Sequence, residues 1–335
     1  MKQGYIYLLV SALFWIASCK SDDLRPAEKI KLLGSYRQEK ALDIKIAQNG
    51  NTYILGSTTV NLTQDEDLLL VALDPNGKEL SSYVWGKQWQ DNAGSLWVEN
   101  NDVWVLSTES DTAIDTDMKL RRFDPVPARP TKSNEFPNRE RRETSAAVKK
   151  DDADESLLCL GTSIWTLDGA ARSAVYFYKV SKDGDMVWPE GRLYQQQGQQ
   201  LRAIDFVILK NGNKSTSGYL ILAETDADES GLGPNNLLLL KTDLNGNLQD
   251  TKLIGEANLT EEGVGILPLP GGEFLIATNV GPQESRIFRV SSSLVDISNT
   301  PPLASFIIAS IEPLPDGDFL LGGTYVDNDN ADDMA

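Results

Sequence analysis

The chain has 335 residues, contains no histidine and carries a formal net charge of −18 at pH 7. The lack of histidine excludes Ser-His-Asp and Cys-His catalysis, together with the zinc sites that use imidazole ligands. An acidic surface repels the phosphates of nucleic acids and keeps an exported domain soluble, so nucleic acid is not an expected partner. The composition therefore favours an exported globular protein.

The N-terminal segment combines the charged residue Lys2 with an apolar stretch over Ile6–Ala17, followed by Ser18 and Cys19. This stretch of about 12 residues falls short of the roughly 20 that a membrane-spanning helix needs, which leaves a transmembrane anchor as the weaker alternative. The run Ile16-Ala17-Ser18-Cys19 resembles the cleavage signature of bacterial lipoproteins. The resemblance implies a signal peptide over residues 1–18 and a lipid on Cys19 whose acyl chains, such as palmitate, anchor the protein to the membrane without spanning it.

Residues 19–29 are expected to form a flexible tether between the lipid and the folded domain. The tether begins with Lys20-Ser21-Asp22-Asp23, which resembles the short acidic signal that directs lipoproteins of the Bacteroidota to the outside of the outer membrane. The resemblance implies a cell-envelope protein, lipid-anchored to the outer membrane and exposed at the surface. A solvated charged linker with no targeting role is the alternative.

Residues 30–335 repeat one pattern of strands and turns six times. Each unit has an apolar strand, a turn rich in Gly, Asn or Asp, and a second strand that ends in small residues, as in Ala41–Ala47, Asn49-Gly50 and Thr52–Ser57. The same pairing is predicted for Ser145–Lys149 with Leu157–Thr162 and for Ala203–Leu209 with Tyr219–Ala223. Third strands such as Leu68–Leu73 and fourth strands such as Glu79–Trp85 and Leu248–Ile254 follow. The repeat length of about 51 residues is close to that of known propeller repeats. The sequence therefore predicts an all-β fold, a β-propeller of six blades with four antiparallel strands each; an elongated β-solenoid is the alternative.

The first unit carries the whole repeat signature. It contains Asn49-Gly50-Asn51, Gly56-Ser57-Thr58, Asp67 and Asp74-Pro75-Asn76-Gly77. These elements resemble bacterial β-propeller repeats, in which a Gly-Asn hairpin, a Gly-Ser/Thr strand end and an Asp-x-x-Gly turn recur. The resemblance implies the fold more firmly than any one function.

The two ends of the repeat region predict how the ring closes. Lys29–Tyr36 is similar to the predicted fourth strands, whereas the last residues, Asn330–Ala335, resemble the start of a third strand such as Asp115–Leu120. We therefore expect an incomplete sixth blade that the N-terminal strand completes, since closure removes exposed sheet edges. A reading frame cut short is the other explanation for the incomplete blade.

Aromatic and amide residues suggest a ligand site on one face of the predicted ring. The connections between blades and those between second and third strands lie on the same face, and they carry a set of rings and amides: Trp85, Trp89, Gln90, Trp165, Tyr194 and Gln196. Aromatic rings beside amides are suited to sugar or peptide recognition. Packing of these rings between sheets is the alternative.

A calcium site is the one cofactor that the sequence suggests, and no other cofactor is expected. Asp226, Asp228 and Ser230 match the opening of a calcium-binding loop, but Leu237 stands where the loop requires an acidic ligand. Turn-forming Asp residues on a solvated rim are the alternative.

Cys159, in the apolar run Leu157–Leu160, is predicted to be a buried and inert thiol.

The sequence favours a non-catalytic binding or scaffold module at the cell envelope. It contains no nucleophile motif, phosphate loop or cofactor fingerprint. The expected partners are the membrane, through the lipid on Cys19, and a glycan, peptide or envelope protein bound on the propeller face. The alternatives are a carboxylate-based hydrolase of glycans and a scaffold similar to the propeller lipoprotein of the outer-membrane β-barrel assembly machinery.

Overall fold

The computed structural model divides the chain into two units, Met1–Arg37 and Gln38–Ala335. All described residues belong to the second unit. They are 39–59, 66–86, 91–99, 102–112, 115–123, 129–136, 141–196, 198–212, 215–226, 235–255, 259–295, 297–314, 317–326 and 332–334. The predicted signal peptide, the tether with Cys19 and the predicted closing strand Lys29–Tyr36 lie outside these residues. Within the described part of the chain, no helix is long and apolar enough to cross a bilayer.

Six antiparallel sheets follow one another along the described chain. The strands of the first three sheets are β1 (Glu39–Ile46), β2 (Thr52–Thr59), β3 (Glu66–Leu73) and β4 (Glu79–Trp85), then β5 (Asn92–Glu99), β6 (Asp102–Thr112), β7 (Asp115–Phe123) and β8 (Lys132–Glu135), then β9 (Arg142–Asp151), β10 (Ser156–Leu167), β11 (Ala170–Val180) and β12 (Arg192–Tyr194). In each sheet, the strands lie side by side in chain order, which is the meander predicted from the repeats.

The other three sheets vary the same plan. Their strands are β13 (Leu201–Lys210), β14 (Thr216–Thr225), β15 (Asn236–Thr242) and β16 (Leu248–Ile254), then β17 (Glu261–Pro268), β18 (Phe274–Val280), β19 (Glu284–Val290), β20 (Ile297–Asn299) and β21 (Leu303–Ala304), then β22 (Phe306–Pro313), β23 (Phe319–Val326) and β24 (Asp332–Met334). The fifth sheet has the additional short strand β21, which the sequence did not predict and which pairs with β19. The last sheet has three strands among the described residues.

The six sheets surround one cavity of about 530 Å³, and the first strand of every sheet contributes to its wall. Apolar clusters fill the five spaces between consecutive sheets, from the first to the sixth. Strands that meander outward from a shared axis, with apolar layers between neighbouring sheets, form a β-propeller. The predicted all-β propeller class is therefore confirmed.

The ring has two faces, at opposite ends of its strands. The connections from second to third strands and from one sheet to the next lie on the junction face. The turns between first and second strands and between third and fourth strands lie on the hairpin face. Asp74 shows why these turns form: its Oδ1 accepts the N–H groups of Asn76 at 2.9 Å and Lys78 at 2.8 Å. The bond from Lys78 contributes most to holding the pKa of Asp74 below its usual range.

Every first strand contains a β-bulge at the same position. The extra residues are Leu42, Gly94, Ala146, Ile204, Val264 and Ala309. The residue just before each bulge pairs with a small residue on the second strand: Gly56, Ser107, Gly161, Ala223, Thr278 or Gly323. A Cβ added at Gly161 would lie 2.3 Å from the carbonyl oxygen of Thr144. Gly56, Gly161 and Gly323 therefore leave no room for a Cβ opposite the bulge, whereas Ser107, Ala223 and Thr278 carry one at the same position.

The bulge also supplies a hydrogen bond between sheets, which we call the latch. At four junctions, the N–H of the residue before the bulge donates to a polar side chain on the second strand of the preceding sheet. These bonds are Ser145 N to Thr108 Oγ1 at 2.8 Å, Ala203 N to Thr162 Oγ1 at 2.9 Å, Gly263 N to Glu224 Oε1 at 2.8 Å and Ile308 N to Asn279 Oδ1 at 2.9 Å. Each latch satisfies a backbone donor that the bulge removes from the ladder.

The first and last sheets meet through a different contact. Lys45 Nζ lies 3.6 Å from Glu312 Oε1, at the wall of the central cavity. On the side of the first sheet that faces away from the second sheet, Ile44 is 52% exposed and Ile46 is 72% exposed, and Leu320 of the last sheet is 60% exposed. Among the residues that the structure describes, this junction therefore buries less apolar surface than the other five.

Candidate functional site

A cleft of about 430 Å³ opens on the junction face between the third and fourth sheets. Its volume falls in the range of small-ligand sites. The cleft is lined by the junction-face ends of strands β9, β10, β11, β13, β14 and β15, and by the connection that leads into β13. The lining residues are Thr144, Thr162, Ile164, Ser173, Gln200, Leu201, Arg202, Glu224, Thr225, Asp226 and Asn235.

A hydrogen bond and apolar packing form the base of this junction-face cleft. The latch between Thr162 Oγ1 and the N–H of Ala203 joins the third sheet to the fourth. Leu201 is buried in the apolar cluster between these sheets, and Ile164 adds a half-buried apolar side chain. The alternation of β10 places Thr162 and Ile164 on the same side, toward the fourth sheet. The sheets thus hold a small apolar floor at a fixed separation.

An arginine–glutamate pair lies at the edge of the cleft, on strands β13 and β14 of the fourth sheet. Arg202 donates to Glu224 through Nε at 2.8 Å and through Nη2 at 2.6 Å, and the two residues are cross-strand partners. Glu224 also accepts the latch bond from Gly263. The hydrogen bonds from Arg202 to Glu224 raise the pKa of Arg202, so the guanidinium stays charged. The pair faces the fifth sheet, because Glu224 accepts from Gly263 and Arg202 Nη2 lies 3.8 Å from Glu262 Oε1.

The wall on the fourth sheet offers amide and carboxylate groups. Asp226 Oδ1 accepts the N–H of Gln200 at 2.7 Å, which joins the connection before β13 to the end of β14. Gln200, Asp226 and Asn235 are all exposed. Hydroxyl groups of Thr144 and Ser173 complete the lining. The cleft therefore presents both donors and acceptors around a small apolar floor, which suits a hydrophilic ligand.

The aromatic residues predicted from the sequence do not meet in this cleft. Trp85 packs against Phe123, with ring centroids 5.4 Å apart, and its Nε1 donates to Glu109 at 3.2 Å. Tyr194 is 5% exposed, and its hydroxyl donates to the carbonyl of Gly246 at 2.7 Å. Burial raises the pKa of Tyr194. Both rings serve mainly to pack neighbouring sheets together.

The other predicted aromatic and amide residues are partly exposed or lie outside the described part of the chain. Trp165 is half-buried on the side of β10 that faces the second sheet, with the guanidinium carbon of Arg141 4.4 Å from its ring centroid. The carbonyl of Gln196 accepts the N–H of Gln199 at 3.2 Å, within the connection that leads to the cleft. Trp89 and Gln90 lie outside the described residues. A ligand role for the exposed parts of Trp165 and Gln196 stays a prediction.

The calcium prediction falls largely outside the described chain. Asp228 and Ser230 are not described, and Asp226 is engaged by the N–H of Gln200. Leu237, at the position that would need an acidic ligand, is fully buried in β15. Across the residues that the structure describes, no group of three or more Cys, Asp and Glu side chains is arranged to hold a metal ion.

A buried glutamate lies between the second and third sheets, close to the junction face. Glu143 is 1% exposed, and its carboxyl has no hydrogen-bond partner of normal geometry among the described residues. Burial and the nearby charge of Asp117 raise the pKa of Glu143 to about 9, although the Met118 N–H and Arg141 oppose the shift. This carboxyl is therefore protonated at neutral pH.

A second buried glutamate, Glu109, faces the first sheet and shows the opposite behaviour. Its carboxylate is bound by Arg121 through Nε at 2.6 Å and lies 3.9 Å from Lys119 Nζ. Burial alone would raise the pKa of Glu109, but the bonds and charges of Arg121 and Lys119 outweigh it and lower the pKa. The two buried glutamates thus differ in charge because one has cationic partners in direct contact.

Sequence reasoning missed Arg202, Glu224, Ser173 and Asn235. A signal for the first two was available: extending the predicted pairing of Ala203–Leu209 with Tyr219–Ala223 by one residue places Arg202 opposite Glu224. Ser173 and Asn235 are single polar residues at strand starts, where nothing in the local pattern separates a lining residue from an ordinary surface residue.

Comparison with known proteins shows the fold alone. No protein-family model and no curated protein sequence matches the chain. The periplasmic gluconolactonase PpgL of Pseudomonas aeruginosa is similar in structure, with a TM-score of 0.53 at 9% identity over 88% of this chain and 84% of that protein. A subtype N11 neuraminidase-like protein of A/flat-faced bat/Peru/033/2010 has a TM-score of 0.50 at 9% identity over the same shares. Both are β-propeller proteins, in agreement with the sheets described above.

Proposed function

We propose that this protein is a non-catalytic binding module of the cell envelope that takes a glycan or peptide in the junction-face cleft. The observation that carries the proposal is the chemistry of the cleft: hydroxyl, amide and charged groups surround a small apolar floor. Glu224 is bound by Arg202 and Gly263, and Asp226 by Gln200. The lining carboxylates are thus engaged as hydrogen-bond acceptors, an arrangement that favours binding over proton transfer.

Lipid on Cys19 would hold this module at the membrane. The proposal rests on the run Ile16-Ala17-Ser18-Cys19 and on the short apolar stretch before it. Replacing Cys19 by Ala in the full chain should abolish metabolic labelling with a palmitate analogue. The control is Cys159→Ala, which should leave the labelling unchanged. Labelling that persists in the Cys19 variant would contradict the anchor.

Ligand arrays test the binding proposal directly. The lipidated protein in detergent micelles should bind a subset of glycans or peptides on an array. Asn235→Ala and Gln200→Ala should weaken that binding at least about tenfold, since each removes a polar group from the cleft. Asn245→Ala is the matched control, because Asn245 is an exposed asparagine in a turn on the hairpin face. Equal binding by all variants would refute the assignment of the cleft.

A carboxylate-based hydrolase is the second candidate, and Glu143 is the observation that favours it. A carboxyl that keeps its proton at neutral pH has the property of a general acid. However, Glu143 is buried between two sheets, away from the cleft. Hydrolysis of any glycan that the array identifies, lost in Glu143→Gln but kept in Asn245→Ala, would support the enzyme over the binding module.

A further inference from the structure

A second cleft, of about 300 Å³, lies on the hairpin face between the second and third sheets. It is separate from the junction-face cleft, because it lies at the opposite ends of the strands and between a different pair of sheets. The ends of β5 and β9 and the starts of β6 and β10 form its walls. The turns before β10 and after β11 form its rim, through Glu155, Lys182 and Asp183.

Two indole rings line this hairpin-face cleft. Trp104 is 1% exposed and belongs to the core, whereas Trp97 is half-buried and also lines the central cavity. The Nζ atom of Lys150 is 5.2 Å from the ring centroid of Trp97, and the guanidinium carbon of Arg122 is 5.4 Å from that of Trp104. Trp97 is therefore an aromatic wall, fixed by packing and partly accessible to a ligand.

The charged groups around the rings form pairs. Arg122 donates to both carboxylate oxygens of Asp102, at 2.8 and 2.9 Å. Lys150 is paired with Glu99, and Lys182 Nζ lies 3.3 Å from Glu155 Oε2. Because cations and anions alternate, the cleft has little net attraction for a strongly charged ligand such as a phosphate.

This combination fits a neutral sugar ring. The apolar C–H face of a pyranose packs on an indole, while planar carboxylate and guanidinium groups can bind adjacent hydroxyls. The volume is at the lower end of the range for ligand sites, which favours one ring over a longer chain. We propose that the hairpin-face cleft is a monosaccharide-binding site in which Trp97 provides the stacking surface and Asp102, Arg122 and Glu99 bind hydroxyls. The proposal does not depend on the ligand of the junction-face cleft.

Saturation-transfer NMR tests this site with defined probes. The lipidated protein in micelles is mixed separately with D-glucose, D-galactose, D-mannose and N-acetyl-D-glucosamine. We expect transfer to the ring C–H protons of at least one sugar, and a loss of binding of tenfold or more in Trp97→Leu. The control is Tyr325→Leu, an exposed aromatic residue of the last sheet, which should leave the signal unchanged.

A second variant guards against misfolding of Trp97→Leu. Lys182 is exposed on the rim, so Lys182→Trp should obstruct the cleft while leaving the core intact. Loss of the sugar signal in Lys182→Trp supports the site. The proposal is overturned by an absence of transfer from all four sugars, by an unchanged signal in Lys182→Trp, or by a signal that disappears in Asn235→Ala, which would assign it to the junction-face cleft.

Discussion

The junction between the third and fourth sheets and the junction between the last and first sheets use equivalent strands but are held differently. At the former, the latch from Ala203 to Thr162 lies beside a continuous apolar cluster. At the latter, the described contact is the ion pair between Lys45 and Glu312, and Ile46 stays largely exposed. In the described part of the chain, the same backbone repeat is thus joined by a latch and an apolar cluster at one junction and by an ion pair at the other.

Alanine substitutions of the glycines opposite the bulges should show the largest difference in stability between the two junctions. Gly161→Ala should lower the free energy of unfolding by about 3 kcal/mol, because its Cβ would meet backbone in a sheet packed on both sides. Gly323→Ala creates a similar clash, with the carbonyl of Ile307, in the loosely packed last sheet. We expect a loss of about 1 kcal/mol there. Urea denaturation measures both.

Gly212→Ala is the control for these substitutions, since no atom lies within 4 Å of its added Cβ. It should leave the urea midpoint nearly unchanged. Equal losses for Gly161→Ala and Gly323→Ala would mean that the last sheet is held as firmly as the third.

The next largest effect is a pH dependence of the free energy of unfolding, which arises from Glu143 at the junction between the second and third sheets. The unfolded carboxyl of Glu143 ionises near pH 4.5, whereas the folded one keeps its proton up to about pH 9. The folded state therefore binds more protons in this window, and the free energy of unfolding falls as the pH rises through it. Glu143→Gln should stabilise the protein at pH 8 by about 2 kcal/mol and have little effect at pH 4.

Glu109→Gln is the matched comparison for Glu143→Gln. The folded pKa of Glu109 is lowered, so its charge stabilises the protein above the unfolded pKa and that contribution is lost as the pH falls. Removing it should destabilise the protein at pH 8. Thermal denaturation across pH checks both signs, and the same sign for the two variants would refute the assigned charges.

Removing a latch should have a smaller effect. Thr162→Val keeps the shape of the side chain but leaves the buried N–H of Ala203 without its acceptor, at a cost of about 1 to 2 kcal/mol. Thr324 occupies the equivalent position in the last sheet, and Thr324→Val should cost less than about 0.5 kcal/mol. A comparable cost at both positions would indicate that the last junction also closes with a latch.

The smallest effect is expected for the ion pair that joins the last and first sheets. Lys45 and Glu312 are both partly exposed, with side-chain exposures of 37% and 59%. A double-mutant cycle with Lys45→Met and Glu312→Gln should give a coupling below about 1 kcal/mol that decreases in high salt. A larger, salt-insensitive coupling would show that this pair is a principal contact of the junction.

The turns of this protein could be predicted from sequence more reliably than its strand ends on the junction face. Strands Glu79–Trp85 and Leu248–Ile254 have the predicted bounds, since clear turn residues precede them. By contrast, the second strand of the third sheet continues past the predicted end at Thr162 to Leu167. Gly161 was interpreted as part of a strand end, but it is a position opposite a bulge in the middle of the pairing.

The same bulges explain why the candidate site was predicted only in part. The face of the ring and the approach to the cleft near Gln196 follow from strand order. The side toward which a side chain points does not, because one extra residue in a first strand reverses the alternation beyond it. In β13, Ala203 and Phe206 both face the third sheet because Ile204 is an extra residue. In β10, the regular alternation places Ile164, but not Trp165, in the cleft.

Because Cys159 is buried, its reaction with a thiol reagent can report transient separation of the sheets that enclose it. The thiol is fully buried in β10, within the cluster between the second and third sheets, and burial raises its pKa. If Cys19 is acylated as proposed, Cys159 is the one thiol left in the chain. A thiol reagent can then react only when these two sheets separate, so the labelling rate in native buffer reads out how often the ring opens at that junction.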